Sequence, residues 1–300
     1  MFEVTEIANV TVNVSNVEQA LEETGELIAS MGRHYVCFFE GNTLHWAYSR
    51  SEIRELLNNA SLCYPDGIAV AKLMSWKLGK PVSRVSGPTF LLKACEYGVP
   101  KGWRHYFFGG KEGVAEELVK TLSERYPGLQ VAGTFCPPFR DMTDDEIDTL
   151  CREIIDKKAD LFWVALGGPR QERWMHKYLG RIPVPVMLGV GAAFDFHTNN
   201  QVWAPKWVRH IGLEWLWRLC TGGKRVFIRN VICVSHVAVR IGFSYLGRVK
   251  YLFSKHPHPS RRFPNAHSSQ ICECCDGIPC SQSIPWCPYQ ENCETTKHSD

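Results

Sequence analysis

Val184-Pro185-Val186-Met187-Leu188-Gly189-Val190-Gly191-Ala192-Ala193-Phe194-Asp195-Phe196 is an apolar run that stops at a glycine and is followed by a lone carboxylate. From Val184 to Val190 the run has the length and composition of a strand buried on both faces. Asp195 stands just past its end, where open α/β sheets bind ligands.

Working outward from that strand, apolar runs alternate with helical patterns. Strands are expected over Ala8–Val14, His34–Phe39, Leu62–Tyr64, His105–Phe108, Gln130–Gly133 and Leu161–Leu166. Helices are expected over Val17–Met31 behind an Asn16 cap, Ser51–Ala60, Ile68–Leu78, Phe90–Tyr97, Gly113–Tyr126 and Gln171–Leu179. Two more run from a Thr143 cap to Lys157, with Asp144, Asp145 and Glu146 in the first turn, and over Lys206–Leu219. This rhythm implies an α/β fold: a mostly parallel, Rossmann-like sheet with helices on both faces.

A chain of 300 residues that is 45% hydrophobic can bury a sizeable core. No apolar run reaches the roughly 18 residues of a membrane span, and the first thirty residues are acidic, without the basic-then-apolar pattern of a secretion signal. The expected location is therefore the cytoplasm. Between Pro205 and Arg262 the basic residues Lys206, Arg209, Arg218, Lys224, Arg225, Arg229, Arg240, Arg248, Lys250, Lys255, Arg261 and Arg262 face the single acid Glu214. Such a block attracts polyanions, and interleaved residues such as Trp217, Phe227, Phe243 and Phe253 favour an anionic lipid surface over nucleic acid, for which no motif is present. A plain exposed pair of basic helices fits the same pattern. The expected organisation is a core over 1–222, a basic amphipathic helical appendage over 223–255 and a Cys-rich, disordered tail over 256–300.

Of the 13 cysteines, seven are scattered singly through apolar contexts and read as packing thiols. The other six, Cys272, Cys274, Cys275, Cys280, Cys287 and Cys293, lack the paired Cys-x-x-Cys spacing of a zinc site. Weak metal binding, disulfides after oxidation and inert disorder remain open for them.

Glycine turns follow three strands, at Gly109-Gly110, Gly167-Gly168 and Gly189-Val190-Gly191. None has Walker or full dinucleotide spacing, but together they present backbone amides and helix starts suited to a nucleotide diphosphate. Asp66, in Tyr64-Pro65-Asp66-Gly67-Ile68, fits a helix cap or Asx turn as readily as a reactive carboxylate.

Four ordered blocks carry a resemblance: Tyr64-Pro65-Asp66-Gly67-Ile68, Arg84-Val85-Ser86-Gly87-Pro88, Gly167-Gly168-Pro169-Arg170-Gln171-Glu172, and the stretch from Gly191 through Ala204-Pro205-Lys206-Trp207 to Leu219. They resemble the bacterial WecG/TagA/CpsF glycosyltransferases over roughly residues 5 to 230. The resemblance implies transfer of a sugar from a nucleotide-diphosphate donor, a UDP-sugar, to a polyprenyl-diphosphate-linked acceptor for a cell-surface polysaccharide, at the inner face of the membrane. It implies Asp66 as general base, Arg84 on the diphosphate, Gln171 at the reaction centre and Asp195 on a ribose or sugar hydroxyl. Arg218 and Arg225, on a C-terminal appendage that closes over the site, add positive charge for the leaving diphosphate. No metal and no cofactor are implied, and Asp144-Asp145 is no substitute for a metal-holding acidic pair; self-association is left open.

The chain departs from that pattern. A usual Thr-x-Asn falls on Phe38 and Glu40, a usual glycine and arginine fall on Asn199 and Trp203, and a third appendage arginine falls on Ile228, with Arg229 beside it. No particular donor sugar is carried over. A non-catalytic, nucleotide-binding scaffold of the same fold is the competing reading.

Overall fold

The computed structural model describes residues 2–210 and 213–221, together with 231 and 235. The expected appendage over 223–255, the expected tail over 256–300 and Arg225 lie outside this range, apart from those two isolated positions.

A six-stranded parallel sheet runs in the order β4 (Leu62–Pro65), β3 (His34–Phe39), β8 (Val186–Gly189), β7 (Leu161–Ala165), β5 (Arg104–Gly109) and β6 (Gln130–Phe135). Alternation along each strand divides its side chains between two cores. Tyr35, Cys37, Phe39, Cys63, Tyr106, Phe108, Phe162, Val164 and Met187 face α2 (Gly41–Ser49), α3 (Ser51–Asn58), α4 (Ile68–Leu78), α7 (Asp144–Lys157) and α8 (Arg170–Lys177). Val36, Phe38, Leu62, Tyr64, Phe107, Leu161, Trp163, Val186 and Leu188 face α1 (Val17–Ala29), α5 (Gly87–Gly98), α6 (Val114–Arg125) and α9 (Ala193–His197). Each fully buried aromatic or aliphatic side chain contributes about 1.5–3 kcal/mol, which is why continuous apolar strands can occupy the middle of this layer.

Two helices begin as their sequences dictate. Asn16 accepts the backbone N–H of Gln19 while Gln19 returns the bond to Asn16, and Thr143 and Glu146 form the same reciprocal pair.

Two expectations need correction, and one helix has no counterpart among them. The strand expected over Ala8–Val14 is one arm of an antiparallel hairpin, β1 (Val4–Ile7) and β2 (Val10–Asn13), whose turn places Ala8 and Asn9 at φ 53° and 60°. Both turn residues are left-handed, the geometry of a type I′ hairpin, but without the glycine that announces one. Asn13 accepts the N–H of Cys63, so the hairpin covers the otherwise open edge of β4. Next, α2 forms over Gly-Asn-Thr-Leu-His-Trp-Ala-Tyr-Ser, a run too poor in strong helix formers to be read as helix; its buried Leu44 and Ala47 supply the reason it forms. Finally, the helix expected over Lys206–Leu219 is two, α10 (Lys206–His210) and α11 (Glu214–Thr221), while Asp195, just past β8 as expected, lies within the short α9. Breaking the helix lets Glu214 open α11, where a carboxylate suits the N-terminal end.

Candidate functional site

Parallel strands end on one side of the sheet, so the segments after β3, β4, β5, β7 and β8 meet along a single edge. Asp66, Gln171, Asp195 and the three glycine turns follow those strands, and Arg84 reaches the same edge through its contact with Asp66. Asp66 follows β4, with its N–H and that of Gly67 both donated to the carbonyl of Phe39 at 3.1 and 3.3 Å. The N-cap of α4 is Gly67, not Asp66. Instead of capping its own helix, the Asp66 carboxylate accepts from Arg84 Nη2 at 3.2 Å and from the Gly87 N–H, the first of α5, at 3.3 Å.

Arg84 is the hub of this corner. Its Nε donates to the Asp66 carbonyl, and its Nη2 also donates to Ser86 Oγ at 3.3 Å and to Glu214 Oε2 at 2.8 Å. The side chains of Arg84, Asp66 and Glu214 are only 23%, 18% and 11% exposed, so solvent screens them weakly. Burial works against the Arg84 charge, yet the two carboxylates outweigh it and hold the guanidinium above its ordinary proton affinity. Glu214 thus ties α11 to the β4 turn. Sequence reasoning missed this role, although the signal was visible: Glu214 is the one acid in a long basic stretch.

A second cation joins from α10. Arg209 lies 3.6 Å over the ring of Trp203, which stacks on Phe196 at 5.7 Å between centroids. Burial and Arg84 lower the proton affinity of Arg209, while Glu214 opposes them. Position 203, where the resembled pattern carries arginine, therefore holds an aromatic ring with a guanidinium on its face. Phe38 is buried against Tyr64 and Phe90, beneath Gly87.

Gln171, on α8, is 5% exposed and committed on all sides. Its Nε2 donates to the Gly189 carbonyl and to Glu172 Oε1, both at 3.0 Å, and its Oε1 accepts the Gly191 N–H at 2.9 Å. The residue clamps the turn after β8 by its own amide. Gly191, at φ 58°, needs that left-handed turn. The Gly167-Gly168 turn leads into α8, with the Gly167 carbonyl accepting the Gln171 N–H.

Further along the edge, Gly109 and Gly110 close β5 against β7, the Gly110 N–H reaching the Ala165 carbonyl at 3.2 Å. A Cβ on Gly109 would stand 2.6 Å from the Ala165 carbonyl oxygen, and its φ of 119° already disfavours any side chain. Gly109→Ala should therefore cost roughly 3 kcal/mol and lower Tm by roughly 5–10 °C in a thermal melt; an unchanged melt would remove the close approach as its reason for being glycine. Asp195 is half-buried, and burial raises its carboxyl above the usual range against the pull of Lys111.

Arg218 falls in α11, with its side chain outside the described atoms, and Arg225 lies outside the described residues. Among the described residues no group of three or more His, Cys, Asp or Glu side chains is placed to hold a metal ion. Among them, too, no helix is long and apolar enough to cross a membrane.

A family model described as "Glycosyl transferase WecG/TagA/CpsF family" matches residues 5–250. Several relatives bear the name N-acetylglucosaminyldiphosphoundecaprenol N-acetyl-beta-D-mannosaminyltransferase, three of them as follows. The protein from Bacillus spizizenii is 33% identical over 175 residues, 57% of this chain and 64% of the relative. That from Bacillus subtilis is 29% identical over 165 residues, 55% of this chain and 62% of the relative. A Staphylococcus aureus protein is 28% identical over 185 residues, 61% of this chain and 68% of the relative. The chain thus spans somewhat less than two thirds of the length of the two Bacillus relatives.

Proposed function

The chain belongs to the WecG/TagA/CpsF glycosyltransferase family, and from that premise we propose that it moves a hexose or N-acetylhexosamine from a nucleotide-diphosphate donor, a UDP-sugar, to a polyprenyl-diphosphate-linked sugar acceptor. The reaction serves assembly of a cell-surface polysaccharide. What carries this reading is the Asp66–Arg84 corner: a carboxylate and a guanidinium in contact at the carboxyl edge of a parallel sheet, beside the start of α5.

In this reading the nucleoside end of the donor lies toward Gly109, Gly110 and Asp195, and the diphosphate crosses Gly167, Gly168 and Gly191 toward Arg84. The acceptor hydroxyl attacks the anomeric carbon as Asp66 takes its proton. The bond from that carbon to the diphosphate breaks, and the departing charge is met by Arg84, whose fork suits phosphate oxygens bidentately. Arg218 and Arg225 add positive charge from the C-terminal side. One displacement inverts the anomeric centre.

The relatives' names give the acceptor class and suggest an acetamido sugar as donor. The chain departs from the resembled pattern at Phe38, Glu40, Asn199 and Trp203, positions the resemblance places toward the sugar and acceptor. A panel of UDP-sugars offered with polyprenyl-diphosphate-linked acceptors to detergent-solubilised protein tests the proposal. Uridine diphosphate binding without transfer of any sugar would favour the scaffold reading, to which those four departures point.

In this reading the lipid-linked acceptor is met at the inner membrane face, and the basic excess after Pro205 supports that location. Each Lys or Arg near an anionic surface contributes about 1 kcal/mol, within a screening distance that shrinks with salt. Full-length protein should sediment with anionic liposomes at low salt and be released as salt rises. Equal binding to neutral liposomes would refute an electrostatic anchor.

A further inference from the structure

Glu172 is 2% exposed, although it is a carboxylic acid at the turn that opens the site. Its Oε1 accepts from Gln171 Nε2 at 3.0 Å, and its Oε2 has no hydrogen-bond partner. A Cβ built on Gly168 would stand 3.5 Å from Oε2, so this oxygen lies directly behind the Gly167-Gly168 turn. From Glu172 a continuous chain of bonds runs outward: Oε1 to the Gln171 amide, then the amide to the Gly189 carbonyl and the Gly191 N–H. The acid therefore sits between two of the glycine turns that line the edge, against one and tied to the other.

We infer that Glu172 is a positioning residue of the transfer site: acting through Gln171, it holds the Gly189–Gly191 turn in the shape that the donor meets, with a proton carried on Oε2. The inference rests on the transferase reading above. It concerns a residue that touches neither donor nor acceptor and to which that reading gave no task.

Electrostatics favour the proton. Burial pushes the Glu172 carboxyl up to about 7; its own N–H and the Gln171 amide pull it back, Glu40 adds to the rise and Arg173 opposes it. The elements packed on α8 are α3, β3, β7 and β8. After β3 stands Glu40. On α3, Glu52 is engaged with Arg173 at 2.6 Å, and Arg54 donates to the Ala47 carbonyl. On α8 itself, His176 packs edge-on against Tyr35. The one cation acting on Glu172 thus has a carboxylate partner of its own. A proton on Oε2 removes the charge while leaving Oε1 free to accept from Gln171. Losing it would put a second negative charge beside Glu40, behind a turn that has to receive a diphosphate.

The sign follows from the raised value. With a folded value of about 7 against 4.5 in the open chain, the protonated group's contribution to stability is full below 4.5 and is lost as pH rises through 7. Glu172→Gln keeps the shape and the acceptor oxygen and cannot ionise; Glu172→Ala removes both.

Full-length wild type and both variants are melted from pH 5 to 8.5 and assayed for transfer over the same range. The wild type should lose Tm relative to Glu172→Gln between pH 5 and about 7, and the difference should then level off. Its kcat/KM should fall toward about tenfold per pH unit above that point, and this limb should be missing in Glu172→Gln. Glu172→Ala should transfer at least about tenfold more slowly at pH 6, and glutamine should restore what alanine loses. Parallel pH profiles for wild type and Glu172→Gln in both measurements would overturn the proton on Oε2, and wild-type kcat/KM in Glu172→Ala would overturn the positioning role. If the wild type transfers no sugar at all, the transferase reading fails; the melts still decide, separately, whether Glu172 carries the proton.

Discussion

Asp66→Asn will lower sugar transfer by about 10²- to 10⁴-fold while leaving the fold and uridine diphosphate binding in place. Asparagine keeps an oxygen that can accept from Arg84 or from the Gly87 N–H, the two partners that hold the side chain at the start of α5. What it loses is the capacity to take a proton from the acceptor hydroxyl, and a positioned general base contributes about that range of rate. Loss of the ion pair with Arg84 should cost no more than about 1–2 kcal/mol, because Glu214 still faces the guanidinium. The variant should therefore melt close to wild type. Transfer at the wild-type rate, with wild-type melting, would take the base assignment away from Asp66.

Arg84→Ala should damage both stability and function, and the two losses can be separated. The guanidinium sits between the carboxylates of Asp66 and Glu214, all three largely shielded from solvent. Removing it leaves two like charges facing each other, which should cost about 2–4 kcal/mol in chemical denaturation. The double variant Arg84→Ala/Glu214→Gln removes one of those charges, so it should recover a good part of the stability. It should not recover uridine diphosphate binding or transfer, because the cation for the diphosphate is still missing. Restored nucleotide binding in the double variant would mean that Arg84 serves only to neutralise its neighbours. Unchanged stability in the single variant would mean that α11 does not depend on this contact with the core.

How far the sequence carries can be judged residue by residue. The central strands were legible because they are buried on both faces, so their apolar runs are unbroken: Val184–Val190 and Leu161–Leu166 contain β8 and β7. Asn16 and Thr143 announced their helices through local capping chemistry. The hairpin turn at Ala8-Asn9 was not legible, because it adopts left-handed backbone without glycine and is stabilised by docking on β4. Nor was α2, whose residues have little helical preference and are held by burial.

The sequence alone determined that a parallel sheet would form and that its strand ends would display Asp66, Asp195 and three glycine turns, since burial periodicity and turn chemistry are local properties of the chain; Arg84 and Gln171 were marked only by the family resemblance. Only the tertiary structure decided which of these residues act on one another. The Asp66 carboxylate serves α5 instead of its own helix, Arg84 bridges to a glutamate 130 positions later in the chain, and the Gln171 amide is committed to the turn after β8. Ion pairing and desolvation fall off within a few ångströms. Their outcome depends on which chain segments meet, and spacing along the sequence does not encode that.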